Sequence, residues 1–206
     1  MTKDKEHQAT VDLRAEEIGD EVPRRGNRIT RVLAILFMAA VGWRVTGGVP
    51  NLDKFIIVGA PHTSNWDFIL VIATAMVIGI RISWMGKHSL FRGPLGPLFR
   101  WMGGIPVDRR ATHGVVGENV SAFSQLDKLI LCITPEGTRS KVREWKSGFY
   151  RIALGADVPI VLAAFDYKNK EVNLGPMLQP SGDYETDLDL IKAHYEPIRG
   201  KHPQNV

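Results

Sequence analysis

His62 and Asp67 are separated by Thr63-Ser64-Asn65-Trp66 and follow the apolar run Phe55-Ile56-Ile57-Val58-Gly59-Ala60. An imidazole can take the proton from a hydroxyl, and a carboxylate on its other nitrogen fixes the tautomer and stabilises the imidazolium. On one continuous helix the two side chains would point apart. A strand-to-helix turn removes that difficulty: with Thr63, Ser64 or Asn65 as the helix cap, Asp67 falls in the first turn and His62 just before it. The couple then has the logic of a Ser-His-Asp site in which a substrate hydroxyl takes the place of the serine. Alone the spacing says little, because a core histidine beside a helix-start aspartate is spelled the same way.

Two further blocks change its weight. Pro135-Glu136-Gly137-Thr138-Arg139-Ser140 follows the apolar run Leu129–Ile133, and Gly104-Ile105-Pro106-Val107-Asp108-Arg109 contains another. Each sets an arginine beside a carboxylate near a glycine. A guanidinium binds phosphate or carboxylate in bidentate fashion, and Gly137 lets backbone approach a ligand. Glu136 could orient Arg139 or accept from a substrate hydroxyl. Each block has a plainer reading as a surface turn with a local ion pair, worth little energetically. Lys141, Arg143 and Lys146 lie beyond Arg139, and Lys87 and His88 follow another strand-like run. A base, its orienting acid and a cationic clamp together suit acyl transfer to a phosphate-bearing alcohol.

Other chemistries are excluded. Gly86-Lys87 lacks the preceding glycine of a phosphate-binding P-loop, and there is no Gly-x-Ser-x-Gly elbow. No metal spacing such as Cys-x2-Cys or His-Glu-x2-His occurs. The one cysteine, Cys132, forbids an internal disulfide and fits a reducing compartment; inside Leu129–Ile133 it reads as a small core hydrophobe. The net charge of +4 favours anionic partners such as phospholipid headgroups. No nucleic-acid motif accompanies it, so no nucleic-acid partner is expected.

The elements that must position these residues follow from length and periodicity. A chain of 206 residues, 44% hydrophobic and 23% charged, suits one folded domain with a real core. Residues 1–28 are polar and read as a mobile tail. Residues 29–45 read as a helix whose uncharged stretch between Arg31 and Arg44 is about 20 Å long, too short for a bilayer of roughly 30 Å. It is either a packing helix or one lying in the membrane interface, anchored by Trp43 and the flanking arginines. Residues 46–206 form the main domain. Strands are expected at 55–59, 82–85, 105–107, 129–133, 158–164 and 171–174. Helices are expected at 68–80, 94–102, 113–126, 148–155 and 184–194. That alternation predicts an α/β fold, a single domain with a mostly parallel central sheet flanked by helices. His62 and Glu136 then both fall at carboxyl ends of strands, where sites form in such sheets.

With these residues in view, the chain resembles the glycerophospholipid (lysophosphatidic acid) acyltransferase family. Four blocks occur in order: His62-x4-Asp67, Gly103–Arg109, Pro135–Ser140 and Val158-Pro159-Ile160-Val161. The similarity covers about residues 54–166. It implies a glycerol-3-phosphate acyltransferase-like fold and O-acyltransferase activity on 1-acylglycerol-3-phosphate, giving phosphatidic acid. The donor would be acyl-CoA or acyl-carrier protein, with no bound cofactor or metal. His62 would be the base and Asp67 its orienting acid. Arg109, Glu136 and Arg139 would hold the acceptor, with Gly137 and Thr138 shaping that loop. The Val158-Pro159 block would support the site by packing. Pro61 and Thr134 stand where many members carry asparagine and phenylalanine, and this bears on the acceptor. Alternatives are another lysolipid acceptor (lyso-ornithine lipid or lysophospholipid) or a non-catalytic lipid-binding module. Peripheral attachment to the cytoplasmic face of the cell membrane is expected.

Overall fold

The structure, a computed structural model, describes residues 18–107 and 114–206. In chain order its elements are α1 (Arg28–Val41), β1 (Arg44–Gly47), β2 (Lys54–Ala60), α2 (Asn65–Ile78), β3 (Ser83–Lys87), α3 (Gly96–Trp101), β4 (Gly104–Val107), α4 (Gly114–Gln125), β5 (Leu129–Ile133), α5 (Gly148–Ala156), β6 (Ile160–Asp166), β7 (Glu171–Leu178) and α6 (Tyr184–Tyr195). The strands form one sheet in the order β1-β7-β6-β2-β5-β3-β4. Every pairing is parallel except β6 with β7, which form an antiparallel hairpin. This is the α/β architecture expected from the alternation.

β2 is buried from Phe55 onwards because it lies between β5 and β6 with helices on both faces. Its side chains alternate between two cores. Phe55 and Ile57 enter the core shared with Leu70, Ile78 and Met38, from α2 and α1. Ile56, Val58 and Ala60 enter the core shared with Phe123, Phe149, Ile152, Leu188 and Ile191, from α4, α5 and α6. Burial on both faces explains the uninterrupted apolar run, as parallel sheets require.

Glycines set several boundaries. α2 stops at Ile78 because Gly79 takes a left-handed cap (φ 75°), two residues short of the expected end. α1 stops at Val41 for the same reason: Gly42 has φ 73°. The segment read as one helix to residue 45 therefore divides, and Arg44 begins a strand paired with β7. Trp43, expected as an interfacial anchor, is buried with its ring against Tyr167, the centroids 4.7 Å apart. The flanking arginines are engaged inside the molecule: Arg31 Nε donates to Val77 O at 2.9 Å, and Arg44 pairs with Glu171 at 2.7 Å. The expected tail also shortens. Residues 1–17 lie outside the described residues, but Ile18 and Val22 are core residues and Arg24 bridges to Ile80.

One polar device ties the helical layer to β2. The buried Tyr195 hydroxyl donates to Val58 O at 2.6 Å and accepts from Ala163 N at 3.2 Å, riveting α6 across β2 and β6 where the β6–β7 register shifts. Tyr195→Phe removes both of these bonds from a dry core. It is expected to cost about 1–3 kcal/mol in a urea unfolding experiment; an unchanged midpoint would show that the hydroxyl is dispensable.

Candidate active site

The turn between β2 and α2 builds the first half of the site. Ser64 is the N-cap of α2 with extended backbone, and Asp67 is its third helical residue. The two form a capping box, Ser64 Oγ serving backbone amides of the first turn while the Asp67 side chain reaches back to the cap amide. Asp67 Oδ2 accepts from Ser64 N at 2.8 Å, Thr63 N at 2.9 Å and His62 Nδ1 at 3.1 Å. A carboxylate taking three donors on one oxygen leaves Nδ1 as the protonated nitrogen. Nε2 is then the free base. The His62 side chain is 20% exposed and that of Asp67 1% exposed, so the base is reachable and its partner dry. Asp67 Oδ1 accepts from the Tyr167 hydroxyl at 2.5 Å.

The second half comes from the neighbouring strand. β5 runs parallel to β2 in register Val58 with Ile133, so Thr134–Arg139 leaves the sheet at the edge where His62 does. Gly137 has φ 63°, and a Cβ there would meet the Lys146 side chain at 2.9 Å. A side chain there would be strained by the left-handed φ and would displace the end of this lysine. Thr138 and Arg139 are exposed and line the cavity with Gly137 and Lys146. Glu136, expected to hold an acceptor or orient Arg139, is placed differently. It is 8% exposed, is not among the cavity-lining residues, and its Oε1 accepts from His62 N at 3.0 Å. It clamps the loop after β5 to the loop after β2. Arg109 and Asp108 lie outside the described residues.

A cavity of about 890 Å³ joins these parts. Its polar end carries His62, Arg139, Lys146 and Lys87. Its walls are apolar and pass beneath α2, from Phe68 and Val71 to Ile78 at the helix end and Leu174 on β7. Cys132 is in that wall, and burial pushes its thiol up to about 12, so it stays protonated and serves as lining. Among the described residues no three His, Cys, Asp or Glu side chains cluster so as to hold a metal ion. The Val158-Pro159 block sits elsewhere. Pro159 O accepts from Ile56 N at the amino end of β2, six residues and about 20 Å of extended chain from His62.

Tyr167 was not singled out in the sequence. It lies a hundred residues from Asp67 in a turn with no motif of its own, and only its position just past an apolar strand end could have marked it.

The fold and the site define a class: a doubly covered α/β domain in which a buried acid holds a partly exposed imidazole at the mouth of an apolar cavity. The Acyltransferase family model matches residues 44–165, more than half of the chain, and the chain belongs to that family. It is 31% identical over 149 residues to the 1-acyl-sn-glycerol-3-phosphate acyltransferase of Escherichia coli (strain K12), covering 69% of this chain and 59% of that protein. The enzyme of the same name from Haemophilus influenzae is 26% identical over 146 residues, covering 68% of this chain and 59% of that protein. The chain thus spans about 59% of the length of the curated relatives it matches. Among solved structures, the 1-acyl-sn-glycerophosphate acyltransferase PlsC of Thermotoga maritima shares the fold, with a TM-score of 0.59 and 18% identity, covering 83% of this chain and 76% of that one.

The buried Glu136 gives a prediction. Burial pushes its carboxyl up from the ordinary value of 4.5, opposed by the His62 N–H it accepts. A raised folded-state value means that the folded chain holds this proton more tightly than the unfolded one. Its contribution to stability is therefore full below 4.5 and lost as pH rises through the folded value. Glu136→Gln keeps the acceptor oxygen and removes the ionisation. Its stability relative to wild type should rise across that window in pH-resolved urea melts; parallel curves would remove Glu136 from the linkage.

Proposed function

We propose that this chain is an O-acyltransferase that moves a fatty acyl group from a thioester, acyl-CoA or acyl-carrier protein, to the free hydroxyl of 1-acylglycerol-3-phosphate, giving phosphatidic acid. The observation that carries the reading is the His62 Nε2 edge, held by Asp67 through Nδ1 and opening on a cavity that is cationic at its mouth and apolar within. His62 takes the proton of the acceptor hydroxyl as its oxygen attacks the thioester carbonyl. The tetrahedral intermediate collapses, the C–S bond breaks, and the leaving thiolate recovers the proton from the imidazolium. Asp67 stays ionised throughout and stabilises that imidazolium. Arg139, with Lys146 and Lys87 beside it and Arg109 as the expected further member, holds the acceptor's phosphate. The apolar arm beneath α2 suits a fatty acyl chain.

A thioester-release assay across a panel of lysolipids tests this. His62→Ala should lower turnover by about a hundredfold or more with the fold kept. Arg139→Ala should raise the acceptor KM by about 10- to 100-fold with little change in kcat. Equal turnover by His62→Ala and wild type would remove His62 from the chemistry. Turnover confined to a lysolipid without a phosphomonoester would assign another acceptor, and binding without turnover would favour the lipid-binding module.

The membrane surface is proposed as a partner, at the cytoplasmic face. No helix among the described residues is long and apolar enough to cross a membrane. α1 is two-faced: Ala34 and Met38 are buried, while Ile29, Leu33 and Leu36 are 60–70% exposed at helical spacing. The α3 stripe Leu95, Leu98 and Trp101 is exposed too, with Arg25 stacked 4.5 Å from the Trp101 ring. No acid occurs between Glu21 and Asp53 or between Asp67 and Asp108, and both segments carry several arginines. Apolar stripes framed by cations suit an anionic lipid surface. A Leu33→Ser/Leu36→Ser double variant should bind phosphatidylglycerol vesicles at least about tenfold more weakly; undiminished co-sedimentation would move the contact off α1.

A further inference from the structure

We infer that Tyr167 is a positioning residue of the active site: its hydroxyl, donated to Asp67 Oδ1, sets how strongly the His62–Asp67 couple holds a proton. Tyr167 follows β6 in the hairpin turn to β7, outside the four sequence blocks and just past the stretch matched by the family model. Nothing in those motifs assigns it a part.

Three contacts fix it independently. Tyr167 N donates to Arg199 O at 2.8 Å, which holds the turn against the chain after α6. The ring meets Trp43 edge-on at 4.7 Å, with an interplanar angle of 81°. Its hydroxyl lies 2.5 Å from Oδ1, the carboxylate oxygen that neither His62 nor the capping amides use. Burial, with the Asp67 carboxylate next, pushes the phenol's pKa up, so it remains a donor across the working pH range. The chemistry has a definite sign. A donor on Oδ1 spreads the carboxylate's charge and weakens its pull on the Nδ1 proton. Without it, Oδ1 is an unpaired buried anionic oxygen, the carboxylate becomes more basic, and the imidazolium is better stabilised. His62 would then hold its proton to higher pH, leaving less free base at neutrality.

The other charged groups facing the couple are Glu136 after β5, Arg139 and Lys146 on that loop, Lys87 at the end of β3, and Lys201, whose ammonium lies 5.5 Å from the Trp66 ring centroid. His202 reaches the turn through its backbone amide on Thr63 Oγ1. Tyr167→Phe leaves all of these and the Trp43 contact in place.

The test is a titration of His62 by NMR in the full chain, with the signal assigned by its absence in His62→Ala. This readout needs no turnover, so it stands whether or not the acyltransferase reading holds. Tyr167→Phe should raise the His62 midpoint by about half a pH unit or more. Where turnover is measured, the acid limb of kcat/KM should move the same way, and kcat at neutral pH should fall by up to about threefold for a half-unit shift, with the acceptor KM unchanged. An unmoved or lowered midpoint would overturn the inference. So would a variant whose only change is a lower Tm with equal losses at every pH, because that describes packing alone.

Discussion

The Asp67 carboxylate is the interaction on which the site depends. A charge this deeply buried is costly, by several kcal/mol for an unpaired ion. Here it is compensated by four donors: two backbone amides, an imidazole and a phenol. The amides come from the turn that starts α2, so one group both closes the helix and aims the base. Helix initiation and the geometry of the His62–Asp67 pair therefore stand or fall together. This ties the short spacing between His62 and Asp67 to a mechanical cause. The acid must be the third helical residue to reach the cap amide, and the histidine must lie outside the helix to present Nε2.

The sheet supplies the rest of the alignment. β2 and β5 are parallel neighbours, so the loops after them leave on the same edge. Glu136 turns that proximity into a fixed distance by taking the His62 amide. The clamp keeps a carboxyl buried, which raises its pKa, while the His62 amide it accepts from opposes that rise. Beneath, apolar side chains of α2 and the sheet, several of them shared with the core, wall the cavity. Arg139 and Lys146 stand exposed at its open end. A ligand with one anionic end and one hydrocarbon end matches that gradient in a single orientation.

Much of this was legible in the sequence, because the informative signals were local. The strand-turn-helix around His62 could be read from an apolar run ending in a cap-rich tetrapeptide, and the structure has Ser64 in the cap. The mostly parallel sheet followed from alternation. What failed to show was set by contacts distant in the chain. β1 is four residues whose strand character comes from pairing with β7. Trp43 looked like an interfacial aromatic because nothing local reveals that Tyr167 covers it. Glu136 looked like a ligand group because its true partner, the His62 amide, is 74 residues away. Residues 18–27 looked like tail because two apolar side chains among many polar ones carry no periodicity, yet those two enter the core.

α2 presents a last constraint, and it reaches α1. The helix is apolar nearly all round, which would be unstable on a surface. Phe68, Val71 and Ile78 line the cavity, so the opposite side needs its own cover. α1 provides it, with Met38 in the shared core and Arg31 bonded to the α2 backbone. That packing accounts for Ala34 and Met38 and for nothing on the far side of α1. Leu33 and Leu36 are mostly uncovered by the described residues, being 61% and 60% exposed. A helix needed only as a cover would be better made with polar residues there, at no cost to α2 and with a gain in solubility. The leucines are therefore unexplained by the packing of the described residues, and they are the surface that the proposed membrane contact would cover.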